Sequence, residues 1–316
     1  MQKELTIIGY GSQARAWAHN LSDSGWKITI ALRTGSTSWQ RVDQVKFATV
    51  DLDQSSTIET DYVGHLIPDA DHGSFLETYK KKFVPGTRFI YAHGYSFIKE
   101  EMPKKFPQFG HLLMAPKGIA TELRAQYLEK GKLAAAYSLE GSQSPEQDRE
   151  FLLTLAADMG ITAGPYEATF QEEAYADLFS EQTLLCSLLP YGALKCYNKL
   201  REKNIPKEIA YFECWYELKL IVDTMVALGP HKFFDLISPN ALIGGEKGHQ
   251  KLFDREYEAK LQTFIDDIWE KKFFNEIDET SVDKVRDKIN SFWAAQEITQ
   301  VHEELKEKLF SGKNSL

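Results

Sequence analysis

A glycine-containing turn between a strand and a helix constrains the fold of this chain most strongly. Residues 5–8 form a short apolar run, residues 9–14 read GYGSQA, and a helix-like run follows at once. In this GxGxxA pattern the first glycine makes the tight turn, the second lets the backbone approach a pyrophosphate, and the small last residue lets the helix pack on the strand. The flanking strand and helix are the context that the motif requires, which favours a dinucleotide site over a turn without a ligand.

Strand-like and helix-like runs then alternate through the first half of the chain. Further strands are predicted at residues 26–32, 62–67, 88–92, 111–115 and 134–139, with helices such as residues 71–83 between several of them. This alternation predicts an α/β, Rossmann-like, doubly wound parallel sheet, whose ligands gather outside the carboxyl ends of the strands. His93 and Lys117 fall at that edge. Either residue alone suits a structural role, whereas their shared edge favours a functional one.

The loop after the second strand predicts which nicotinamide cofactor the turn binds. An NAD site places Asp or Glu near the end of this strand, where the carboxylate holds the ribose hydroxyls. This chain instead has a cation and hydroxyl side chains there, in Arg33, Ser36 and Ser38. Such a set suits a 2′-phosphate, so the sequence predicts NADP(H). The alternative is a polar loop that binds nothing.

Carboxylates on two apolar helical segments are the main chemical feature of the second half. The segments are residues 170–189 and 209–229, and each carries acidic side chains four residues apart. These side chains are Glu173, Asp177, Glu181, Glu213 and Glu217. Residues four apart share a helix face, and buried carboxylates without a partner are costly, so the pattern predicts a bound cation. Hard oxygen ligands suit Mg²⁺, whereas each pair taken alone also suits an exposed helix face.

A change from strand-like to helical periodicity divides the chain into two predicted domains, residues 1–166 and 167–316. In the second domain, residues 233–245 are predicted to form a loop that contains Ser238 before Pro239. Three apolar helical stripes after residue 250 predict packing in a core or an interface. The last residues, SGKNSL, are predicted to fray.

Composition argues against several partners and locations. The 316 residues carry a net charge of −9, which argues against a broad nucleic-acid-binding face and against attraction to anionic membranes. Cys186, Cys196 and Cys214 form no CxxC pair, which favours reduced cysteines in the core. The chain shows neither a signal peptide nor an apolar run long enough to span a bilayer, so we expect a cytoplasmic protein.

Seven segments, in order, make the chain similar to ketol-acid reductoisomerase, also called acetohydroxyacid isomeroreductase. They are GYGSQA, LRTGSTSW, LIPD, YAHGY, MAPKG, ADLFSEQTLLC and IAYFECWYELKLIVD, and the similarity covers residues 5–245. The length resembles the short-chain class I of that family. The resemblance implies a Rossmann-like domain followed by an all-α, knotted C-terminal domain. It also implies an obligate homodimer and leaves assembly beyond the dimer open.

The resemblance implies roles for individual residues on the cofactor side. The pyrophosphate turn corresponds to Gly9, Tyr10, Gly11, Ser12 and Gln13. The phosphate loop of NADP corresponds to Arg33, Ser36 and Ser38. Asp69 lies in the loop that matches the nicotinamide side.

On the substrate side, the resemblance implies four further roles. His93 matches the active-site histidine, and Lys117 matches the lysine near a substrate oxygen. Glu173 matches an acid beside the metal ligands, and Ser238 matches the substrate-binding serine. The implied reaction moves an alkyl group between adjacent carbons of a 2-acetyl-2-hydroxy acid, after which NADPH reduces the new ketone.

The metal ligands implied by the resemblance are four of the carboxylates. Asp177 looks like the carboxylate that bridges two Mg²⁺ ions, and Glu181 like a ligand of one of them. Glu213 and Glu217 look like ligands of the second ion or of its waters, supplied by a partner chain. Two Mg²⁺ ions in this position would stabilise the oxyanion that develops during the migration.

Two loops depart from the family pattern and leave the substrate open. The family's PKGPGH is PKGIAT here, at residues 116–121, and its SNTAEYG is SPNALIG, at residues 238–244. One interpretation is a reductoisomerase that acts on 2-acetolactate. The alternatives are a paralogue with the same Mg²⁺ and NADPH site for another 2-hydroxy-3-keto acid, and a non-catalytic NADP-binding or assembly protein. The presence of all five carboxylates favours an active metal site.

Overall fold

The structure is a computed structural model that describes residues 2–45 and 47–309. The chain divides into two units, residues 1–176 and 177–316. The segment SGKNSL, predicted to fray, lies outside the described residues. None of the helices within the described ranges is long and apolar enough to span a membrane.

An eight-stranded sheet forms the centre of the first unit. Its strands are β1 (Glu4–Ile8), β2 (Lys27–Leu32), β3 (Ala48–Asp51), β4 (Tyr62–His65), β5 (Arg88–Tyr91), β6 (Gly110–Pro116), β7 (Leu133–Gly141) and β8 (Ile161–Glu167). They lie in the order β3-β2-β1-β4-β5-β6-β7-β8, and among these described strands only β6 and β7 pair in antiparallel fashion. The strand order reverses between β1 and β4, which is where doubly wound sheets bind their ligands.

Helices cover both faces of this sheet. They are α1 (Ser12–Asp23), α2 (Trp39–Val45), α3 (His72–Tyr79), α4 (Tyr95–Glu100), α5 (Met102–Lys105), α6 (Ala120–Glu129) and α7 (Pro145–Met159). Successive strand residues point to opposite faces. Ile7 therefore joins the apolar cluster that contains residues of α1, α6 and α7, whereas Ile8 joins the cluster that contains residues of α3 and α5.

The predicted Rossmann-like sheet is confirmed, with two differences. All six predicted strands form, but the edge strands β3 and β8 are absent from the sequence prediction. β3 is short and partly exposed, and β8 contains Gly164 and Pro165, which are poor strand formers. The second difference from the predicted parallel sheet is β7, which runs antiparallel to β6. Apolar runs do not distinguish the direction of a buried strand.

The second unit is helical throughout its described part. α8 (Phe170–Ser180) contains the division between the units and continues as a π-helix, Glu181–Leu188, and as α9 (Leu189–Arg201). After a break, α10 (Lys207–Tyr211) leads through a second π-helix, Phe212–Tyr216, into α11 (Glu217–Asp235). The last helices are α12 (Pro239–Leu252), α13 (Arg255–Trp269), α14 (Lys272–Glu279), α15 (Val282–Ala294) and α16 (Glu297–Leu309).

A small core connects the early and late helices of this unit. Leu194, Tyr197 and Tyr211 pack with Ile298 and Val301, which joins α9 and α10 to α16. Several other members of the predicted apolar stripes remain exposed in the single chain. Trp269 is 54% exposed and Val282 is 60% exposed.

The predicted loop at residues 233–245 is wrong for most of its length. α11 extends to Asp235, and α12 begins at Pro239. Ser238 is the N-cap of α12, and its hydroxyl accepts a hydrogen bond from the backbone N–H of Ala241 at 3.4 Å. Serine before proline is a strong helix start, because serine caps free N–H groups and proline suits the first helical position.

Candidate active site

The glycine turn at the end of β1 forms one wall of a cavity in the first unit. Gly9 has a φ of 85°, and a β-carbon there would lie 2.8 Å from Ile67 Cγ2. Only glycine combines this left-handed conformation with so close a neighbour. Tyr10 and Gly11 continue the turn into α1, whose first N–H groups have no intrahelical acceptor.

The cavity beyond this turn has a volume of about 470 Å³. Its lining includes the predicted cofactor residues Gly9, Tyr10, Gly11, Arg33, Ser36 and Ser38. Ser12 and Gln13 form the first turn of α1, and the Gln13 Oε1 atom is buried without a hydrogen-bond partner within the described ranges. Asp69 opens a short 3₁₀-helix, Asp69–Asp71, directly after the cavity residue Pro68.

Two carboxylates that the sequence analysis missed hold the loop after β2. Thr34 Oγ1 lies 2.9 Å from each carboxylate oxygen of Asp51, and the Thr34 backbone N–H donates to Asp53 at 2.8 Å. Asp51 is the last residue of β3, which pairs with β2. The signal was hidden, because β3 itself was not predicted. Acidic side chains therefore lie beside the loop that carries Arg33, although the end of β2 has none.

A buried carboxylate organises the second group of predicted residues. Glu173 on α8 is only 4% exposed. One of its oxygens accepts from Lys117 Nζ at 2.6 Å, and the other accepts from the backbone N–H of Gly94 at 2.8 Å. His93 Nε2 lies 3.8 Å from the same carboxylate, and His93 Nδ1 lies 3.8 Å from Asp69. The first unit therefore brings together four predicted residues at the carboxyl ends of β4, β5 and β6.

Close backbone packing sets the position of this carboxylate. A β-carbon on Gly94 would lie 2.2 Å from the carbonyl oxygen of Phe170, the first residue of α8. Glycine at this position lets α8 approach the end of β5. The ammonium of Lys117 compensates the charge of Glu173, and one side chain can exchange a proton with the other at this distance.

A buried histidine behind this group was missed by the sequence analysis. His72 Nε2 lies 3.1 Å from the carbonyl oxygen of Ile67, and Nδ1 lies 2.7 Å from Ser96 Oγ. The carbonyl can only accept, so Nε2 carries the proton and Nδ1 accepts from Ser96. Burial lowers the pKa of His72 to about 4, which keeps the ring neutral at pH 7. His72 thus anchors the loop between the cavity residue Ile67 and Asp69.

The predicted metal ligands lie on the two helices that contain π-helical turns. Asp177 follows Glu173 by one turn on α8, and Glu181 is the first residue of the first π-helix. Burial, and then the charges of Glu181 and Asp177, raise the pKa of the Cys186 thiol. The charges of the two carboxylates therefore act on the same thiol.

The second carboxylate pair also lies at a junction between a π-helix and an α-helix. Glu213 lies in the second π-helix, and Glu217 begins α11. Both side chains are exposed in the single chain. π-Helical turns are rare in proteins as a whole, but those that occur are often found at functional sites. Their presence beside both predicted pairs therefore distinguishes these helices from ordinary surface helices.

The cysteines Cys186 and Cys196 are exposed rather than buried, which corrects the expectation of core cysteines.

Comparison with known proteins gives a consistent assignment. Residues 1–164 match the family model described as acetohydroxy acid isomeroreductase, NADPH-binding domain, and residues 170–310 match ketol-acid reductoisomerase, C-terminal domain. The structure is similar to an NADH-preferring ketol-acid reductoisomerase from an uncultured archaeon, with 29% identity and a TM-score of 0.85 over 98% of this chain and 95% of that one.

More distant structures share the fold alone. A semialdehyde dehydrogenase NAD-binding protein from Cupriavidus necator has 17% identity and a TM-score of 0.63, over 85% of this chain and 99% of that one. Pyrroline carboxylate reductase from Plasmodium falciparum has 12% identity and a TM-score of 0.56, over 85% of this chain and 98% of that one.

Proposed function

The chain belongs to the ketol-acid reductoisomerase family, and we propose that it converts 2-acetolactate with NADPH and two Mg²⁺ ions. It is an oxidoreductase with isomeroreductase function in branched-chain amino-acid biosynthesis, and it uses a nicotinamide cofactor. The observation that carries the proposed residue roles is the buried Glu173. Its carboxylate is held by Lys117 and by the Gly94 N–H, 3.8 Å from His93.

The cavity beside β1 supports the cofactor assignment. A Gly9 β-carbon would collide with its wall, and Arg33, Ser36 and Ser38 line it, which suits a ligand with a phosphate on the ribose. We assign residues 1–166 as the NADP-binding domain. The preference for NADPH is part of the proposal, since the archaeal relative prefers NADH.

Four carboxylates are the proposed metal ligands. Asp177, Glu181, Glu213 and Glu217 offer the hard oxygen atoms that Mg²⁺ prefers. When bound, NADPH supplies the hydride, and the Mg²⁺ ions supply positive charge beside the oxygen atoms of the substrate. Residues 167–316 are the domain to which we assign metal binding, substrate binding and dimerisation.

The side chains around Glu173 have complementary roles in this proposal. Lys117 is 41% exposed, so its ammonium can donate to a substrate oxygen while it stays paired with Glu173. Glu173 is the proposed acceptor of the substrate hydroxyl proton, and His93 steadies its second oxygen. Ser238 accepts from Ala241 at the start of α12, which leaves its own O–H free to donate to a substrate carboxylate.

An exposed apolar surface on the second unit supports the proposed homodimer. Leu185 is 52% exposed and Val226 is 72% exposed, on the same two helices that carry the metal ligands. Apolar surface of this kind marks interfaces. We therefore propose that Glu213 and Glu217 of one protomer complete the site of its partner.

The test of the reaction follows NADPH absorbance with Mg²⁺ and racemic 2-acetolactate, with 3-hydroxypyruvate as a substrate that needs reduction only. We expect turnover of acetolactate by the wild-type protein. This turnover should be lost on chelation of Mg²⁺ and in Asp177→Asn, and it should be kept in the charge-matched control Glu150→Gln. Reduction of 3-hydroxypyruvate without turnover of acetolactate would favour the second candidate, a paralogue for another 2-hydroxy-3-keto acid. The altered segment at residues 238–244 motivates that candidate.

The shared site has its own test. Asp177→Asn and Glu217→Gln are each expected to be inactive. Mixed dimers of the two variants contain one intact site if Glu217 acts across the dimer, so co-refolded protein should recover about a quarter of the wild-type activity. No recovery in a mixture that forms dimers would refute the sharing of the site.

A further inference from the structure

Four side chains join the loop after β2 to its neighbours in the first unit. Thr34 donates through Oγ1 to Asp51 and through its backbone N–H to Asp53. Asp53 also accepts from the hydroxyl of Tyr79, the last residue of α3, at 2.8 Å. We call Thr34, Asp51, Asp53 and Tyr79 the loop clamp.

The two carboxylates of the loop clamp are themselves fixed by the backbone. Asp51 Oδ1 accepts from the N–H groups of Asp53 at 2.9 Å and of Gln54 at 3.3 Å. Hydrogen bonds from Tyr79 and then from Thr34 lower the pKa of Asp53, so the carboxylate is ionised at neutral pH. Charged acceptors make the stronger kind of hydrogen bond. The loop clamp is therefore a built structure, with every carboxylate oxygen in use.

The held loop carries the residues of the proposed phosphate site. Arg33 precedes Thr34 directly, and Ser36 and Ser38 follow it within four residues. On its far side the loop is closed by Trp39, whose indole Nε1 donates to the Arg33 carbonyl oxygen at 2.9 Å. The cavity lining includes Arg33, Ser36, Ser38 and Tyr79. The loop clamp thus lies beside the cavity and determines the conformation of the loop.

We infer that Asp51 and Asp53 act through Thr34 as positioning residues that set the preference of the site for a cofactor with a 2′-phosphate. The inference rests on the proposed NADP(H) site. A phosphate needs Arg33, Ser36 and Ser38 in one conformation, whereas a cofactor without it does not. Loss of the hydrogen bonds of Thr34 should therefore weaken binding of the phosphorylated cofactor more than binding of the cofactor without the phosphate.

The same carboxylates also have an opposing effect on phosphate binding. Their negative charge repels a phosphate. If this repulsion dominated, removal of the carboxylates would tighten the binding of NADP⁺. Water and salt screen exposed charges, whereas the hydrogen bonds act at contact distance. Thr34 and Asp53 are exposed. The positioning effect is therefore expected to dominate.

Thr34→Val separates the two effects, because it removes the hydroxyl and changes no charge. Isothermal titration calorimetry of the full-length chain with NADP⁺ and with NAD⁺ should show that the affinity for NADP⁺ falls roughly three- to tenfold, as expected for the loss of one hydrogen bond. The affinity for NAD⁺ should stay within about twofold on the same scale. Thr34→Ser keeps the hydroxyl and should restore the wild-type ratio. In turnover, the KM for NADPH should rise with kcat unchanged.

Asp53→Asn and Glu59→Gln complete the experiment. Both remove one negative charge, and Glu59 is an exposed residue outside the cavity lining. Asp53→Asn should lower the affinity for NADP⁺ relative to the affinity for NAD⁺, and Glu59→Gln should leave the ratio of these two affinities unchanged. Tighter NADP⁺ binding in Asp53→Asn would overturn the inference, as would equal weakening of both cofactors in Thr34→Val. A wild-type preference for NAD⁺ would instead refute the proposed cofactor. The change in the ratio of NADP⁺ affinity to NAD⁺ affinity between wild type and Thr34→Val would still test the loop clamp.

Discussion

Acid lability of the first unit is a prediction that follows from three buried histidines. His65, His72 and His111 are each 1% exposed or less. The rings of His65 and His72 stack with centroids 4.1 Å apart, and neither nitrogen of His65 has a hydrogen-bond partner among the described residues. Burial is the main cause that lowers the pKa of all three rings, to about 4 for His72 and for His111. The unfolded chain therefore binds protons that the folded unit rejects.

The sign and size of the effect follow from these values. The stability contributed by each neutral ring is complete above pH 6.5 and is lost as the pH falls through the folded pKa of about 4. For His72 and His111 this difference corresponds to roughly 3 kcal/mol each. Their sum of roughly 6 kcal/mol is comparable to the whole stability of an ordinary domain. His65 adds to it with the same sign.

The assay measures urea unfolding of the first unit between pH 7.5 and pH 4.5. Pulsed hydrogen exchange of peptides from β4 and β5 reports this unit separately from the second one. The free energy of unfolding should fall by about 1.4 kcal/mol per pH unit for each titrating histidine. The steepest loss is expected below pH 6.

Variants identify the source of the pH dependence. His111→Gln should lower stability at pH 7.5, where its contacts are lost, and reduce the slope by about one proton, because glutamine does not titrate. The exposed His249 offers a matched control, and His249→Gln should keep the wild-type slope. An unchanged slope in His111→Gln would refute the reasoning, since burial of this ring would then contribute nothing to the acid lability.

Three further variants test the packing of the first unit. Gly94→Ala places a β-carbon 2.2 Å from the Phe170 carbonyl oxygen and should displace the helix that carries the buried glutamate, so kcat should fall roughly 100-fold; unchanged turnover would contradict this. Asn20→Ala removes donors to two backbone carbonyls and should cost about 1–3 kcal/mol in urea unfolding. Asp148→Asn neutralises a fully buried carboxylate 2.9 Å from a guanidinium and should cost about 3–5 kcal/mol at pH 7, so a loss below ~1 kcal/mol would mean that the pair is dispensable.

Local sequence signals determined the elements of this protein. The turn at Gly9, the six predicted strands and the two long acidic helices are encoded within windows of about ten residues, where apolar periodicity and glycine conformation act. The same signals predicted that the first half is Rossmann-like and the second half helical. They failed at Ser238, where a serine before proline starts a helix rather than marking a loop.

Tertiary structure alone decided which distant residues meet. Lys117 and Glu173 are 56 positions apart in the chain. Their 2.6 Å contact depends on the pairing of β5 with β6 and on the packing of α8 against Gly94. The contact of Asp51 with Thr34 likewise depends on β3 pairing beside β2. Periodicity reports which face of an element is apolar, but strand order and direction follow from how all the elements bury those faces together.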